Sequence, residues 1–273
     1  MNAGVTSRPV VRSHGEREGG GPDDVAVEEP LEIRVEGRPV AVTMRTPGHD
    51  AELAAGFLLT EGVITGAADL FEISPCGTAG ASGAANVIEV TLRRPGSVDF
   101  ARLTRHVFGS SSCGVCGKAT IEAVFTHHPP LPAAEGLREL DPAVLAQLPD
   151  RLAAGQTAFR RTGGLHAAAL FAADGRISVL REDVGRHNAV DKAVGHALLT
   201  PGCLAPGGAG LLVSGRVSFE IAQKALAARL AVVVGLSAPT SLAIDFARAS
   251  GLALIGFLRA GGHNIYAGAG RLR

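Results

Sequence analysis

Lysine is nearly absent from this chain. It occurs three times in 273 residues, at Lys118, Lys192 and Lys224, leaving 23 of the 26 basic residues as arginine. With that bias a given arginine is weak evidence for anion binding, and position has to decide. Excess charge is absent too: 26 basic and 26 acidic residues leave a formal net charge of +0. No overall field therefore draws nucleic acid or an anionic membrane. Cysteine is scarce, limited to Cys76, Cys113, Cys116 and Cys203. Cys76 and Cys203 stand far from the remaining pair and from each other, which is not the spacing of a disulfide framework and points to a reducing, cytoplasmic setting. The opening MNAGVTSRPVVRSHGEREGGGPDD lacks the apolar region of a signal peptide and reads as a disordered tail over residues 1–24. The most apolar stretch, Ala225 to Phe257, is interrupted by Arg229, Pro239, Asp245 and Arg248, so it is not a membrane span. No G-x-G-x-x-G or P-loop lysine is found, so the standard nucleotide fingerprints are missing.

What is there describes a globular protein. The chain is 46% hydrophobic and 19% charged, and its length allows one large domain or two modest ones. LEIRVEGRPVAVTM reads as a hairpin turning at Glu36-Gly37-Arg38-Pro39. A helix follows with Asp50 as N-cap, Leu53, Ala54, Phe57 and Leu58 as its buried stripe and Gly62 as its stop. NVIEVTL is another strand, and DFARLTRHVF a short helix leading into a serine-cysteine loop. The Pro-rich HHPPLPAAEGLREL separates an N-terminal α+β part, residues 25–126, from residues 141–273, with 127–140 as the connection. Asp141-Pro142 opens a capped helix, LHAAALFAADGRISVLRED is a hairpin turning at Asp174-Gly175, and GRHNAVDKAVGHALL is helical.

The C-terminal part then alternates. AGLLVSG, AVVVGLS and LALIGFL are apolar runs separated by the helical RVSFEIAQKALAARL and APTSLAIDFARASG. Continuous apolar strands alternating with helices imply an α/β fold with parallel strands covered on both faces. Ligands of such sheets bind beyond the carboxyl ends of the strands. The loops there are Ser214-Gly215-Arg216, Ser237-Ala238-Pro239-Thr240 and FLRAGGHNIYAG. The first two lead into helix N-termini, which favour anions such as phosphate, although capped turns with glycines explain them equally.

Chemistry concentrates in two places. In FGSSSCGVCGKATIEAVF, Cys113 and Cys116 form a C-x-x-C pair ahead of a helix-like segment, with Lys118, Arg105 and His106 nearby. A structural zinc site needs two further ligands, and no second C-x-x-C supplies them. Zinc deaminases join H-x-E to P-C-x-x-C; here His166 lacks the glutamate and no proline precedes Cys113. Cationic neighbours and a helix N-terminus instead favour a reactive thiolate, with a redox dithiol as the other possibility. The second place is REDVGRHNAVDKAVGH, where His187 and Asp191 fall four apart on one helix face. They could make an oriented acid/base pair or a solvated ion pair with a capping role. Asp183 and Arg186 could meet a polar ligand.

Seven segments in order, RTPGHDAELAAGFLLTEGVI, SSSCGVCGKA, GGLHAAAL, REDVGRHNAVDKAVG, SGRVSFEIAQKA, SAPTSLAIDFA and GFLRAGGHNIYAG, resemble the formate dehydrogenase accessory sulfurtransferase family, FdhD, from about Leu31 to Gly268. The resemblance implies a cytidine-deaminase-like fold for the C-terminal half, a homodimer, and a cytoplasmic sulfur carrier without a resident metal. It implies a cysteine desulfurase as sulfur donor and the molybdenum cofactor, bis-molybdopterin guanine dinucleotide, as acceptor on behalf of formate dehydrogenase. Cys113 and Cys116 match the family's C-x-x-C, the first as persulfide carrier. Phe257, Leu258, Arg259, Ala260, Gly261 and Gly262 match its guanine-nucleotide-binding segment. Two other readings stand beside it: a cofactor-binding chaperone without sulfur relay, and a zinc-dependent deaminase-like enzyme.

Overall fold

The computed structural model describes residues 4–14, 17–76, 86–97, 100, 125, 128–132, 140–203 and 210–271. The expectation of a disordered tail is corrected by strands β1 (Val5–His14) and β2 (Arg17–Ala26), which form a ten-rung antiparallel ladder. Composition points to disorder because the segment has no apolar face. Its order comes instead from backbone pairing and charge: Arg12 meets Asp23 at 3.2 Å, and Arg161 holds Asp24 at 2.8 Å.

Strands β3 (Glu29–Val35), β4 (Arg38–Arg45), β5 (Leu70–Pro75) and β6 (Val87–Leu92) make a four-stranded sheet in the order β4-β3-β6-β5. The alternation of Leu31, Ile33 and Val35 turns all three into the core. The β3–β4 turn is tighter than the sequence suggests, with only Glu36 and Gly37 between the strands, at φ 52° and 74°. Two left-handed residues suit the twist of a two-residue hairpin. Glu36 is held there by accepting the Leu92 N–H at 2.6 Å.

Helix α1 (Asp50–Thr60) packs on this sheet, but His49, not Asp50, is its N-cap. The Asp50 carboxylate is taken by the buried Arg45 guanidinium, at 2.9 and 3.1 Å. Helices α2 (Pro142–Gly155) and α3 (Thr157–Thr162) follow; α2 starts as expected, with Asp141 accepting from the Ala143 N–H at 2.7 Å. Strands β7 (His166–Phe171) and β8 (Ile177–Asp183) form the predicted hairpin, and α4 (Arg186–Leu199) the predicted helix.

The predicted strand-helix alternation is present as β9 (Gly210–Val213), α5 (Phe219–Ala227), β10 (Val232–Gly235), α6 (Ser241–Ser250) and β11 (Ala253–Arg259), with β12 (Gly262–Ala267) returning antiparallel. Strands β9, β10 and β11 are parallel in a six-stranded sheet ordered β12-β11-β10-β9-β7-β8. Period-two alternation splits their side chains. Leu211, Val213, Val233 and Leu254 join the larger core, whereas Leu212, Val232, Val234 and Ile255 face α2 through Leu145, Leu148 and Leu152. The architecture is α/β, and the larger core runs on through Leu31, Ile33 and Leu53 of the N-terminal part.

The join between the two parts is a crossing of α1 and α4 at Gly56 and Gly195. A Cβ on Gly56 would sit 1.9 Å from the Asp191 carbonyl oxygen, and one on Gly195 would sit 1.8 Å from that of Glu52. Helical glycine ordinarily costs stability. Here it lets two backbones touch. Among the described residues, no helix is long and apolar enough to cross a membrane.

Candidate functional site

Strand directions bring the ends of six strands to one edge of the larger sheet. The carboxyl ends of β8, β9, β10 and β11 lie there, with the amino ends of the antiparallel β7 and β12. Helices α4, α5 and α6 all start at this edge. The three loops singled out from the sequence are interlocked rather than merely adjacent. Val217 and Pro239 form a parallel bridge, the Val217 N–H donates to Ala238 O at 3.1 Å, and the Phe257 N–H donates to Ser237 O at 3.1 Å. Ser214 is tied to β7, its Oγ accepting the Ala167 N–H at 2.9 Å.

The six residues 257–262 form the β11–β12 hairpin end. Phe257 adopts φ 53° at a bulge and leaves its ring 45% exposed, a left-handed geometry that is costly for a bulky side chain. Leu258 points into the smaller core. Arg259 is exposed, and its guanidinium donates to the carbonyls of Leu236 and Leu258. Ala260, Gly261 and Gly262 are exposed, and a side chain on either glycine would meet open space. An aromatic face, a guanidinium and bare backbone therefore sit within one turn.

The expected pairing of His187 with Asp191 is corrected. Asp191 is buried and accepts from Lys224 Nζ at 2.8 and 2.9 Å and from Thr60 Oγ1 at 2.8 Å. Burial works against the Lys224 charge, but the Asp191 and Glu61 carboxylates outweigh it and keep the ammonium protonated. Asp183 is likewise interior. It meets Lys192 at 2.6 Å and accepts the N–H groups of Thr46 and Gly185 at 3.1 and 2.8 Å, docking the RTPGHD segment onto the β8–α4 turn. A cavity of about 370 Å³ beside it is lined by Thr46, His49, Arg181, Glu182 and Lys192. Its charges are already matched. Arg181 grips Glu52 at 2.6 Å, and Glu182 accepts the Ala158 and Phe159 N–H groups at 2.9 and 2.7 Å. Burial opposes ionisation of Glu52, yet hydrogen bonds from Arg181, His49 and His196 hold it well below the usual carboxylate range.

His187 turns instead to the sheet edge, where its Nε2 lies 3.0 Å from Glu220 Oε2 on the first turn of α5. His166, at the start of β7, stands over Gly215, with Nδ1 3.4 Å from where a Cβ there would lie. Burial lowers the His166 pKa, assisted by the nearby Arg186 guanidinium. Sequence spacing cannot pair His187 with Glu220, because they lie on different helices 33 residues apart. The one available signal is that both open a helix following a strand end. Cys113 and Cys116 lie outside the described residues. Among the described residues, Cys76 and Cys203 are free thiols, and no cluster of three or more His, Cys, Asp or Glu is placed to hold a metal.

The FdhD/NarQ family model matches residues 26–273. Similar curated proteins include the sulfur carrier protein FdhD of Streptomyces avermitilis, 50% identical over 260 residues that span 92% of this chain and 89% of the relative. The sulfur carrier protein FdhD of Mycobacterium tuberculosis is 48% identical over 264 residues, covering 92% of each chain. A crystal structure assigned as a formate dehydrogenase accessory protein of Desulfotalea psychrophila superposes with a TM-score of 0.75, over 98% of this chain and 99% of that one. At 22% identity that likeness is one of fold. Matched by the family model from residue 26 to its last residue, the chain belongs to the FdhD/NarQ family.

Proposed function

We propose that this protein is a cytoplasmic sulfur carrier, a sulfurtransferase that takes sulfane sulfur from a cysteine desulfurase and passes it to a molybdenum cofactor destined for formate dehydrogenase. The observation that carries this reading is the name shared by its relatives, sulfur carrier protein FdhD, at about half identity over nine-tenths of the chain. Cys113 is the persulfide carrier and Cys116 the supporting or resolving thiol. A thiolate attacks the terminal sulfur of the donor persulfide, and one S–S bond replaces another without a separate oxidant.

The acceptor substrate is the bis-molybdopterin guanine dinucleotide form of the cofactor, recognised by its nucleotide end at the Phe257–Gly262 turn. The exposed Phe257 ring offers a stacking face for guanine. Arg259, released from its carbonyls, offers a bidentate donor for phosphate, and Gly261 and Gly262 permit close backbone approach. Holding the far end of a large cofactor turns sulfur delivery into a positioned reaction. The same reading makes the protein a homodimer, with its six-stranded sheet a cytidine-deaminase-like scaffold used without zinc.

Intact mass spectrometry after incubation with desulfurase and cysteine tests it. Wild type should gain sulfur that Cys113→Ala does not, and both should bind guanosine diphosphate equally. A Cys113→Ala protein that still activates formate dehydrogenase would make the chain a cofactor chaperone instead. Stoichiometric zinc lost in both cysteine variants would make it a metalloenzyme.

A further inference from the structure

Interior charges along α4 are matched one for one: Asp183 with Lys192, and Asp191 with Lys224. At the first turn of the same helix that matching stops. The terminal nitrogens of the Arg186 guanidinium have no partner among the described residues, and neither ring nitrogen of His166 has a hydrogen-bond partner there. The Glu220 carboxylate lies 3.0 Å from His187 Nε2, so the ring proton belongs on Nε2. Arg186 Nε, 3.5 Å from that nitrogen, then meets a proton rather than a lone pair, which makes the approach a contact and not a bond. His187 Nδ1 is left with a lone pair and no partner among the described residues. Every buried side-chain nitrogen and oxygen among them has a partner, so these open groups all reach the surface.

Strand register brings them together. His166 opens β7 opposite Asp183, the last residue of β8, from which the chain turns directly into Arg186 and His187. On its other side β9 runs into Ser214 and Gly215, and a Cβ on Gly215 would sit 3.4 Å from His166 Nδ1. With glycine there, that nitrogen stays uncovered. Helix α4 starts at Gly185 without a side-chain cap, which adds the positive end of its dipole. Strands β10 and β9 separate β7 from β11, which places His166 three strand spacings, about 14 Å, from the strand carrying Phe257.

A guanidinium offers two parallel N–H donors to an oxyanion, and the His166 ring, which burial keeps neutral, offers one more. The His187 lone pair beside them repels any oxygen that bears no proton. We propose that His166, Arg186 and His187 bind a phosphate that retains one proton, either inorganic phosphate or the terminal group of a phosphate monoester. Arg186 and His166 donate to its charged oxygens, and its P–O–H donates to His187 Nδ1. Glu220 is a positioning residue that keeps the imidazole in the accepting tautomer. Sulfate and the internal diphosphate of a dinucleotide carry no such proton near neutral pH. The site is therefore distinct from the Phe257–Gly262 turn, and it does not depend on the sulfur-carrier reading.

Calorimetric titration near neutral pH and at constant ionic strength, with inorganic phosphate, methyl phosphate and sulfate as probes, tests it. Wild type should bind phosphate about tenfold tighter than sulfate. Arg186→Gln should weaken both anions about tenfold or more, and should leave guanosine binding unchanged. His187→Gln keeps an N–H donor for Glu220 but loses the acceptor, so phosphate should fall to the sulfate level while sulfate stays the same. Arg186→Lys keeps the charge without the fork and should lose less than Arg186→Gln; it carries the test if the glutamine variant folds poorly. Methyl phosphate bound as tightly as phosphate identifies a monoester as the ligand, and its exclusion identifies inorganic phosphate. Wild type that binds no phosphate, or binds sulfate equally well, overturns the inference. So does an unchanged phosphate affinity in folded Arg186→Gln. Sulfur gain by the protein is untouched by any of these results.

Discussion

Helix α4 serves two polar regions that differ in one respect. On its inner side Asp191 and Lys192 are buried, and each is met by an opposite charge within 2.8 Å. On its first turn Arg186 and His187 are half-open, and His187 keeps a nitrogen without a partner among the described residues. The lesson is that a dense polar motif should be sorted by saturation rather than by residue type. Saturated groups fix the helix in place, and the half-open ones at its first turn do not. It also accounts for two of the three lysines: in a chain that otherwise uses arginine, Lys192 and Lys224 are compact ammonium groups on flexible stems, suited to a narrow interior niche.

The sharpest way to break the comparison is to strand one interior charge. Asp191→Asn leaves the Lys224 ammonium buried with Glu61 at 3.5 Å as its remaining carboxylate, and should cost about 3–5 kcal/mol in urea unfolding. The double change Asp191→Leu with Lys224→Met should cost less than the single one. A single-variant loss below about 1 kcal/mol would remove the structural half of the contrast. Next comes Gly195→Ala, which drives a methyl group onto the Glu52 carbonyl and should cost about 3 kcal/mol on the same assay.

Smaller and pH-dependent is Glu52→Gln. The folded-state pKa of Glu52 is depressed, so its contribution is present above the unfolded carboxylate value near 4.3 and is lost as pH falls toward the folded one. In the variant, stability measured from about pH 6 down to pH 3 should fall less steeply than in wild type. A variant with the wild-type slope would show that the Arg181 and His196 contacts do not favour the ionised form. The least effect on stability belongs to the edge. His187→Asn should stay within about 0.5 kcal/mol of wild type in urea unfolding, because the ring is half-open and its one carboxylate partner, Glu220, lies at the surface edge.

Much of this is legible in the residues. The parallel core announces itself because AGLLVSG, AVVVGLS and LALIGFL are continuous apolar runs, the pattern of strands buried on both faces. Asp141-Pro142 marks a helix start because both its signals act locally. What the residues hide is decided at a distance. The β1–β2 ladder depends on register and on Arg161, neither visible in a Gly-rich polar composition. Asp50 loses the N-cap to His49 because Arg45 competes for its carboxylate. His187 and Asp191 do lie one turn apart on α4, but every residue from Asn188 to Gly195 is buried, so spacing does not say which of the pair faces inward. The Phe257–Gly262 stretch is visible in the sequence, while the division between an outward Phe257 and an inward Leu258 comes only with the bulge.

The glycine crossing also has a consequence in time. Gly56 leaves the ribosome roughly 140 positions before Gly195, which at about 5–20 residues per second is roughly 7–28 s. Throughout that interval the face of α1 that α4 will cover has nothing to cover it. Newborn chains should therefore depend on chaperones most strongly between the synthesis of these two residues, and slower translation ahead of Gly195 should lengthen that dependence.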